Sequence, residues 1–346
     1  MKETPTKGYV SSDFAIGFDP RDRDKLYQMW DQIFESNRWS EGTFTELFES
    51  LWRDWNELPS VAFASWAGAA MACLDYIDVR GKIVLCPSNT FMATPLSVIK
   101  AGGQVQFVDC NRHDLCMSYD DFVAKAEKWR PAAVWLVHIG GHIAFDVEKI
   151  AAYCRKHHIW LLEDCAHAHG AHWHGKKPGA WGDAGVYSFY ATKTISTGEG
   201  GMLVTRHEDL VQHARKYRNY GKFDHLVEGL NFRMSEFTAA IGCVQVKRMP
   251  EVVACKQEYA RHVLDPLYPN RLKLRDGMGS GYYKYIVFNQ VEQSTGKVYD
   301  QPCHRILGHD VELPNSDWVT ENHWCVPIYY HGANVSPDGN VLFTDD

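Results

Sequence analysis

The chain has 346 residues, 45% hydrophobic and 23% charged, with a formal net charge of -7; this is ordinary globular composition, enough for one large domain plus a smaller one. No basic stripe favours a nucleic-acid partner, and no run of about 18 apolar residues suggests a membrane span. The opening MKETPTKGYVSSDF lacks the apolar centre of a signal peptide, and the ten cysteines form no CxxC pair, so a cytoplasmic protein with reduced, buried thiols is expected.

TFTELFESLWRDW (43–55) reads as an amphipathic helix. A series of short apolar runs follows: VAFAS (61–65), IVLC (83–86), VQFVD (105–109), AVWLVH (133–138), IWLLE (159–163), GVYSFY (185–190) and GMLVT (201–205). Most are continuous rather than alternating, which predicts strands buried on both faces. Helical segments such as AAMACLDYI and EKIAAYCRKHH separate the first five. Strand–helix alternation predicts a mostly parallel α/β sheet. Only residues 191–200 lie between the last two runs, too few for a helical crossover, so the seventh strand should be antiparallel. The pattern then turns helical, through EDLVQHARKYRNYG and MSEFTAAIGCVQVKRM. Pro250 predicts a boundary, followed by a helical stretch over 251–264 and a strand in YYKYIVFN. This divides the chain into an N-terminal segment plus large domain (1–249) and a smaller C-terminal domain (250–346).

Ligands of open parallel sheets sit beyond the carboxyl ends of the strands. The segments found there are SWAGAAM, PSNTFMATP, HIGGH after His138, EDCAHAHGAHWHG (163–175) and ATKTISTGEGG. Four histidines in 163–175 suggest a metal, but their spacing matches no familiar zinc pattern and HExxH is absent, so no metal is expected. Backbone N–H groups in SWAGAAM could hold a phosphate at a helix N-terminus. Lys193 follows a strand within a loop of Thr, Ser and Gly, where an amine can form a Schiff base with an aldehyde. Asp164 ends the neighbouring strand, and a buried carboxylate seeks a cation. A lysine paired with an acidic partner for a pyridine nitrogen is the pattern of pyridoxal 5'-phosphate sites.

The segment EDCAHAHGAHWHGKKPGAWGDAGVYSFYATKTISTGEGGMLVT (163–205) resembles the signature of the DegT/DnrJ/StrS family of pyridoxal-phosphate-dependent sugar aminotransferases. ASWAGAA (64–70), PSNTFMAT (87–94), VHIGGHIAFDVEKI (137–150), RNYG and GLNFRMSEFTAAIG (218–242) resemble further family segments, in order and spacing. The resemblance implies the fold-type-I aminotransferase architecture, a seven-stranded sheet with one antiparallel strand. It implies that Lys193 bears the cofactor and shuttles protons. Asp164 would pair with the pyridinium nitrogen, and His167 would approach the ring's phenolic oxygen. Phe91 would stack on the ring, while Ser188 and the backbone at Ala67 and Gly68 would bind the phosphate. Asn231 would reach the phosphate from a partner subunit in a homodimer with shared sites, with Arg233 close by. His138 and Arg233 are candidate substrate residues.

Trp66 and Ala67 stand where the family has small polar residues, and Gly68 where Thr is typical, which places a bulky ring near the expected site. Asn89 replaces a common aromatic or Met, and the family's final helix would follow CVPIYYHG. The implied reaction passes an amino group, with pyridoxamine phosphate as intermediate, from L-glutamate to a nucleotide-linked 3- or 4-keto-6-deoxyhexose. Dehydration, or a non-nucleotide cyclic keto substrate of the aminoshikimate type, is the alternative within the family. A metal-dependent hydrolase and a non-catalytic cofactor-binding regulator are the alternatives outside it.

Overall fold

The computed structural model describes residues 18–330. The signal-peptide reading and the expectation of a final helix concern residues outside this range. Two helices come first, α1 (Arg23–Ser36) and α2 (Thr43–Asn56). Phe44, Phe48 and Trp52 recur every fourth residue of α2 and are buried, as the amphipathic reading requires.

The main sheet contains β1 (Ser60–Phe63), β2 (Ile83–Pro87), β3 (Gln104–Val108), β4 (Ala133–Val137), β5 (Trp160–Asp164), β7 (Ala184–Ser188) and β8 (Gly201–Thr205). A short β6 (His172–Trp173) lies outside it. The strand order is β1-β8-β7-β5-β4-β2-β3. The pairs β2–β3, β2–β4, β4–β5 and β5–β7 are parallel. As expected, β8 runs antiparallel to its neighbours, β1 and β7.

Alternate residues of each strand feed two apolar cores. In β4, Val134 and Leu136 join one core, whereas Ala133 and Trp135 join the other. The first core lies under α2, α5 (Tyr119–Trp129), α6 (Val147–His157) and α8 (Glu236–Tyr259). The second lies under α3 (Trp66–Ile77) and α7 (Glu208–Tyr217), with α4 (Ala93–Lys100) beside them. Burial on both faces explains the continuous apolar runs.

One expectation fails here for a packing reason, and one side chain lies deeper than its sequence context shows. Pro250 does not end a helix: α8 runs through it as one 24-residue element. The proline removes one backbone hydrogen bond, but Val246, Met249, Val252 and Val253 are buried on both sides of it. A division of the chain at residue 250 therefore falls within a helix. Trp66 is not in an open pocket either. It is 7% exposed, donates its indole N–H to the Val186 carbonyl at 3.2 Å, and packs against Trp135.

Beyond α8, β9 (Met278–Gly279) pairs with β6, and β10 (Tyr285–Val287) pairs with β11 (Trp324–Val326). Only the centre of YYKYIVFN is a strand. All ten cysteines are free thiols and nine are buried. No helix of the described residues is long and apolar enough to cross a membrane.

Candidate active site

Asp164 closes β5 at the carboxyl end of the sheet, level with Val137 of β4 and Val186 of β7. The residue is buried. Its Oδ1 accepts the Ala166 N–H at 3.0 Å and its Oδ2 accepts the Thr94 hydroxyl at 2.9 Å. Thr94 is in turn 3.0 Å from the Thr90 hydroxyl. Burial raises the carboxyl pKa, and these hydrogen bonds and the Lys193 charge only partly oppose it. No described cation forms an ion pair with Asp164. It is a buried acid short of a counter-charge.

Lys193 lies in the loop between β7 and β8, its N–H bonded to the Tyr190 carbonyl at 2.9 Å. Its Nζ is 4.8 Å from the centre of the Tyr283 ring. Tyr283 meets the Thr192 hydroxyl at 3.1 Å and packs on His167 with ring centres 4.2 Å apart and the planes tilted by 31°. Tyr299 lies nearly parallel to His167 at 5.9 Å. Nδ1 of His167 accepts the Gly140 N–H at 3.5 Å. Burial, then the charges of Lys193 and Lys284, hold the His167 pKa far below the ordinary value, so the ring is neutral at pH 7. Burial alone would raise the Tyr283 pKa, but the Lys193 charge and the Thr192 bond leave it lowered. One end of the sheet thus joins Asp164, His167 and Lys193, through rings supplied by the C-terminal third.

The proposed phosphate end is built by α3 and β7. Ser65 caps α3 by accepting the Gly68 N–H at 3.3 Å. The Ala67 N–H, one position earlier, has no partner among the described residues, as is usual in a first helical turn. A side chain at position 68 would strike the Phe232 ring at 2.8 Å, which accounts for the glycine. Ser188 ends β7 and is buried. Phe91, ahead of α4, is 64% exposed, unusual for so large an apolar ring.

Other sequence candidates lie elsewhere. His138 is fully buried: its Nε2 meets Glu163 at 2.8 Å and its Nδ1 accepts the Ala144 N–H. With both nitrogens engaged, it offers no atom to a substrate. Asn231 is exposed, and Arg233 bonds to Asn219 at 2.5 Å; neither bonds to the Asp164–Lys193 cluster within one chain.

His169 is not a solvated loop residue: it is buried among Trp52, Tyr187 and Phe189. His172 and His174 are exposed. Two buried groups have metal-ligand chemistry, His138–Glu163–Cys165 and Asp114–Cys116–His142. Their acids are already committed. Glu163 accepts three backbone N–H groups, from Gly179, Trp181 and Gly182. Asp114 accepts those of Cys116 and Phe145.

The model of the DegT/DnrJ/EryC1/StrS aminotransferase family matches residues 20–293. This chain belongs to that family. Among its relatives, GDP-perosamine synthase of Escherichia coli O157:H7 is 31% identical over 64% of this chain and 62% of that protein. A putative L-glutamine:3-amino-2,3-dideoxy-scyllo-inosose aminotransferase of Micromonospora echinospora is 34% identical over 49% of this chain and 41% of that one. The chain spans between half and two thirds of the length of the GDP-perosamine synthases it matches. The solved aminotransferase TlmJ of Streptoalloteichus hindustanus shares 25% identity, with a TM-score of 0.82, over 92% of this chain and 94% of that one.

Sequence reasoning missed four residues that lie around Asp164, His167 and Lys193. Thr90 and Thr94 lie in PSNTFMAT, whose alternating hydroxyls were an available signal. Tyr283 and Tyr299 lie where no local pattern marks them.

Proposed function

We propose that the chain is a pyridoxal-phosphate-dependent aminotransferase. It moves an amino group from L-glutamate to a keto-sugar, specifically a nucleotide-linked 3- or 4-keto-6-deoxyhexose. The observation that carries this reading is the buried Asp164, whose carboxyl feels the charge of Lys193, an amine that forms no ion pair among the described residues. The residues fit the family's cofactor: an acid for a pyridinium, an amine for an aldehyde, an exposed ring at Phe91 and an open N–H at Ala67. When bound, the cofactor supplies an electron sink for the carbon that exchanges its amino group.

Each residue then has a task. Asp164 keeps the ring nitrogen protonated, and Thr94 holds the acid ionised. Neutral His167 approaches the phenolic oxygen, and Phe91 covers one face of the ring. Lys193 would hold the cofactor's aldehyde carbon and, once released from it, would move the proton at the substrate carbon. Ser188, Ala67 and Gly68 receive the phosphate. Asn231 and Arg233 would serve the neighbouring site in a homodimer, an arrangement supported by the exposed position of Asn231. The presence of Lys193 favours transamination over dehydration. The relative named for GDP-perosamine supports a nucleotide sugar, and the inosose relative keeps cyclic keto substrates without a nucleotide as the second reading.

The test is mass-spectrometric detection of amine transfer from L-glutamate or L-glutamine to a panel of nucleotide keto-sugars and keto-cyclitols. Transfer that disappears in Lys193→Ala supports the reading. No transfer across the panel, or full activity in Lys193→Ala, overturns it.

A further inference from the structure

Three ammonium groups gather around Tyr282 and Tyr283 without a counter-ion. Lys193 Nζ lies 4.8 Å from the centre of the Tyr283 ring, and Lys284 Nζ lies 5.4 Å from the same point. Lys256, from the buried length of α8, donates to the Tyr282 carbonyl at 3.2 Å and is 7% exposed. Among the described residues, none of the three forms an ion pair. Burial, reinforced by the charge of Lys284, lowers the Lys256 pKa to about 8. Lys284 also depresses the pKa of His167. Its charge therefore reaches the cluster around Lys193.

The charge of Lys193 is met in part by Asp164, and two further acids are occupied. Asp114 accepts two backbone N–H groups, and Asp265 pairs with Arg271 at 2.7 Å and with the Tyr285 hydroxyl. Lys284 is held in place, because its N–H donates to the Gly140 carbonyl at 2.9 Å. The N–H of Gly140 points to His167. A cavity opens at this junction, lined by Gly140, His142, Ser280, Tyr282 and Lys284 on one side and by Leu272, Leu274, Tyr285 and Ile286 on the other. Lys256 is buried, and Lys193 and Lys284 are half-buried; like charge and the lack of an ion pair leave a positive field at Lys284, which an oxyanion would relieve.

We propose that Lys284 is a binding residue for a substrate oxyanion, lodged in the cavity beside Tyr283. The oxyanion is a carboxylate of the amino-acid donor or the diphosphate of the sugar nucleotide. This assignment rests on the aminotransferase reading, and it adds a ligand site that the Lys193–Asp164 pocket does not contain.

The test is calorimetric titration of the cofactor-loaded protein with two unreactive probes, glutarate and inorganic pyrophosphate. Lys284→Gln is expected to weaken one probe by about tenfold or more, the scale of one charged hydrogen bond. Lys284→Arg should retain most of the affinity, and Lys128→Gln, at an exposed site, should change nothing. Selective loss of glutarate identifies the donor carboxylate, and selective loss of pyrophosphate the nucleotide. Affinities for both probes within twofold of wild type in Lys284→Gln overturn the proposal, as does a wild type that binds neither. A protein that binds a probe through Lys284 but transfers no amine keeps this site and loses the aminotransferase reading.

Discussion

The Thr94 hydroxyl donates to the Asp164 carboxylate at 2.9 Å across 70 residues of sequence. It joins the start of the helix after β2 to the end of β5, over the intervening β4. The bond favours the ionised acid against a burial that opposes it. Thr94→Val removes this donor and raises the Asp164 pKa further. The acidic limb of the kcat profile should move to higher pH, and turnover at pH 7 should fall by about tenfold, the value of one such bond. Thr94→Ser should restore both.

Asp164→Asn separates stability from activity. The folded-state pKa of Asp164 lies above its unfolded value, so its ionisation destabilises the cofactor-free protein as pH rises through the folded pKa. The cofactor-free Asn variant should melt a few degrees higher than wild type at pH 7, where about 1 kcal/mol corresponds to about 2–4 °C in a chain of this size. The difference should vanish near pH 4. The loaded variant should lose activity by orders of magnitude, and near-normal turnover would count against pyridinium pairing.

Tyr283 closes the site through two contacts that substitution can separate. Tyr283→Phe keeps the packing on His167 and loses the Thr192 bond; its turnover should fall by only about tenfold. Tyr283→Ala loses both and should fall by about 100-fold, the scale of a misplaced reacting group. Equal rates in the two variants would show that the ring itself does nothing for turnover.

Acid should weaken the fold through its buried histidines. Burial holds the pKa of His142 and of His169 down at about 3. Each is neutral in the fold and charged in the unfolded chain below about pH 6.5. The stability they support is fully present above that pH and is lost as pH falls toward 3. Neither ring nitrogen of His169 makes a well-formed hydrogen bond among the described residues, and the Ser188 backbone only partly offsets the effect of burial, so a Phe ring should replace it at little cost in hydrogen bonding. His169→Phe should flatten the stability–pH curve between pH 6 and 4, by up to about 1.4 kcal/mol per pH unit. An unchanged slope in denaturant titrations would refute the assignment.

The sheet was legible because its strands are buried on both faces and therefore carry unbroken apolar runs. The direction of β8 was legible because residues 191–200 cannot form a crossover. Asp164 and Lys193 stood out because each follows such a run closely, whereas His167 was marked only by the family resemblance. The continuity of α8 was hidden, since a helix through Pro250 depends on partners for Val246 and Val253 that sequence does not display. The inward turn of Trp66 was hidden for the same reason: it depends on Trp135, 69 positions away. Tyr283, Lys284 and Tyr299 come from irregular backbone, where no period links a residue to the pocket it reaches.

The position of β8 between β1 and β7 also dictates when the sheet can be completed during synthesis. β1 is the first strand of the sheet to be made, yet its only neighbour is the last. Until residue 205 has left the ribosome, residues 60–63 have no strand to pair with, and β7 keeps an open edge. Unpaired edges recruit other chains. A nascent chain halted before residue 201 would therefore present one unpaired strand, β1, and one open sheet edge, β7, at once. The loop that brings Lys193 into place is held at both ends only when that gap closes, so the proposed catalytic amine is among the last parts of the sheet to be fixed.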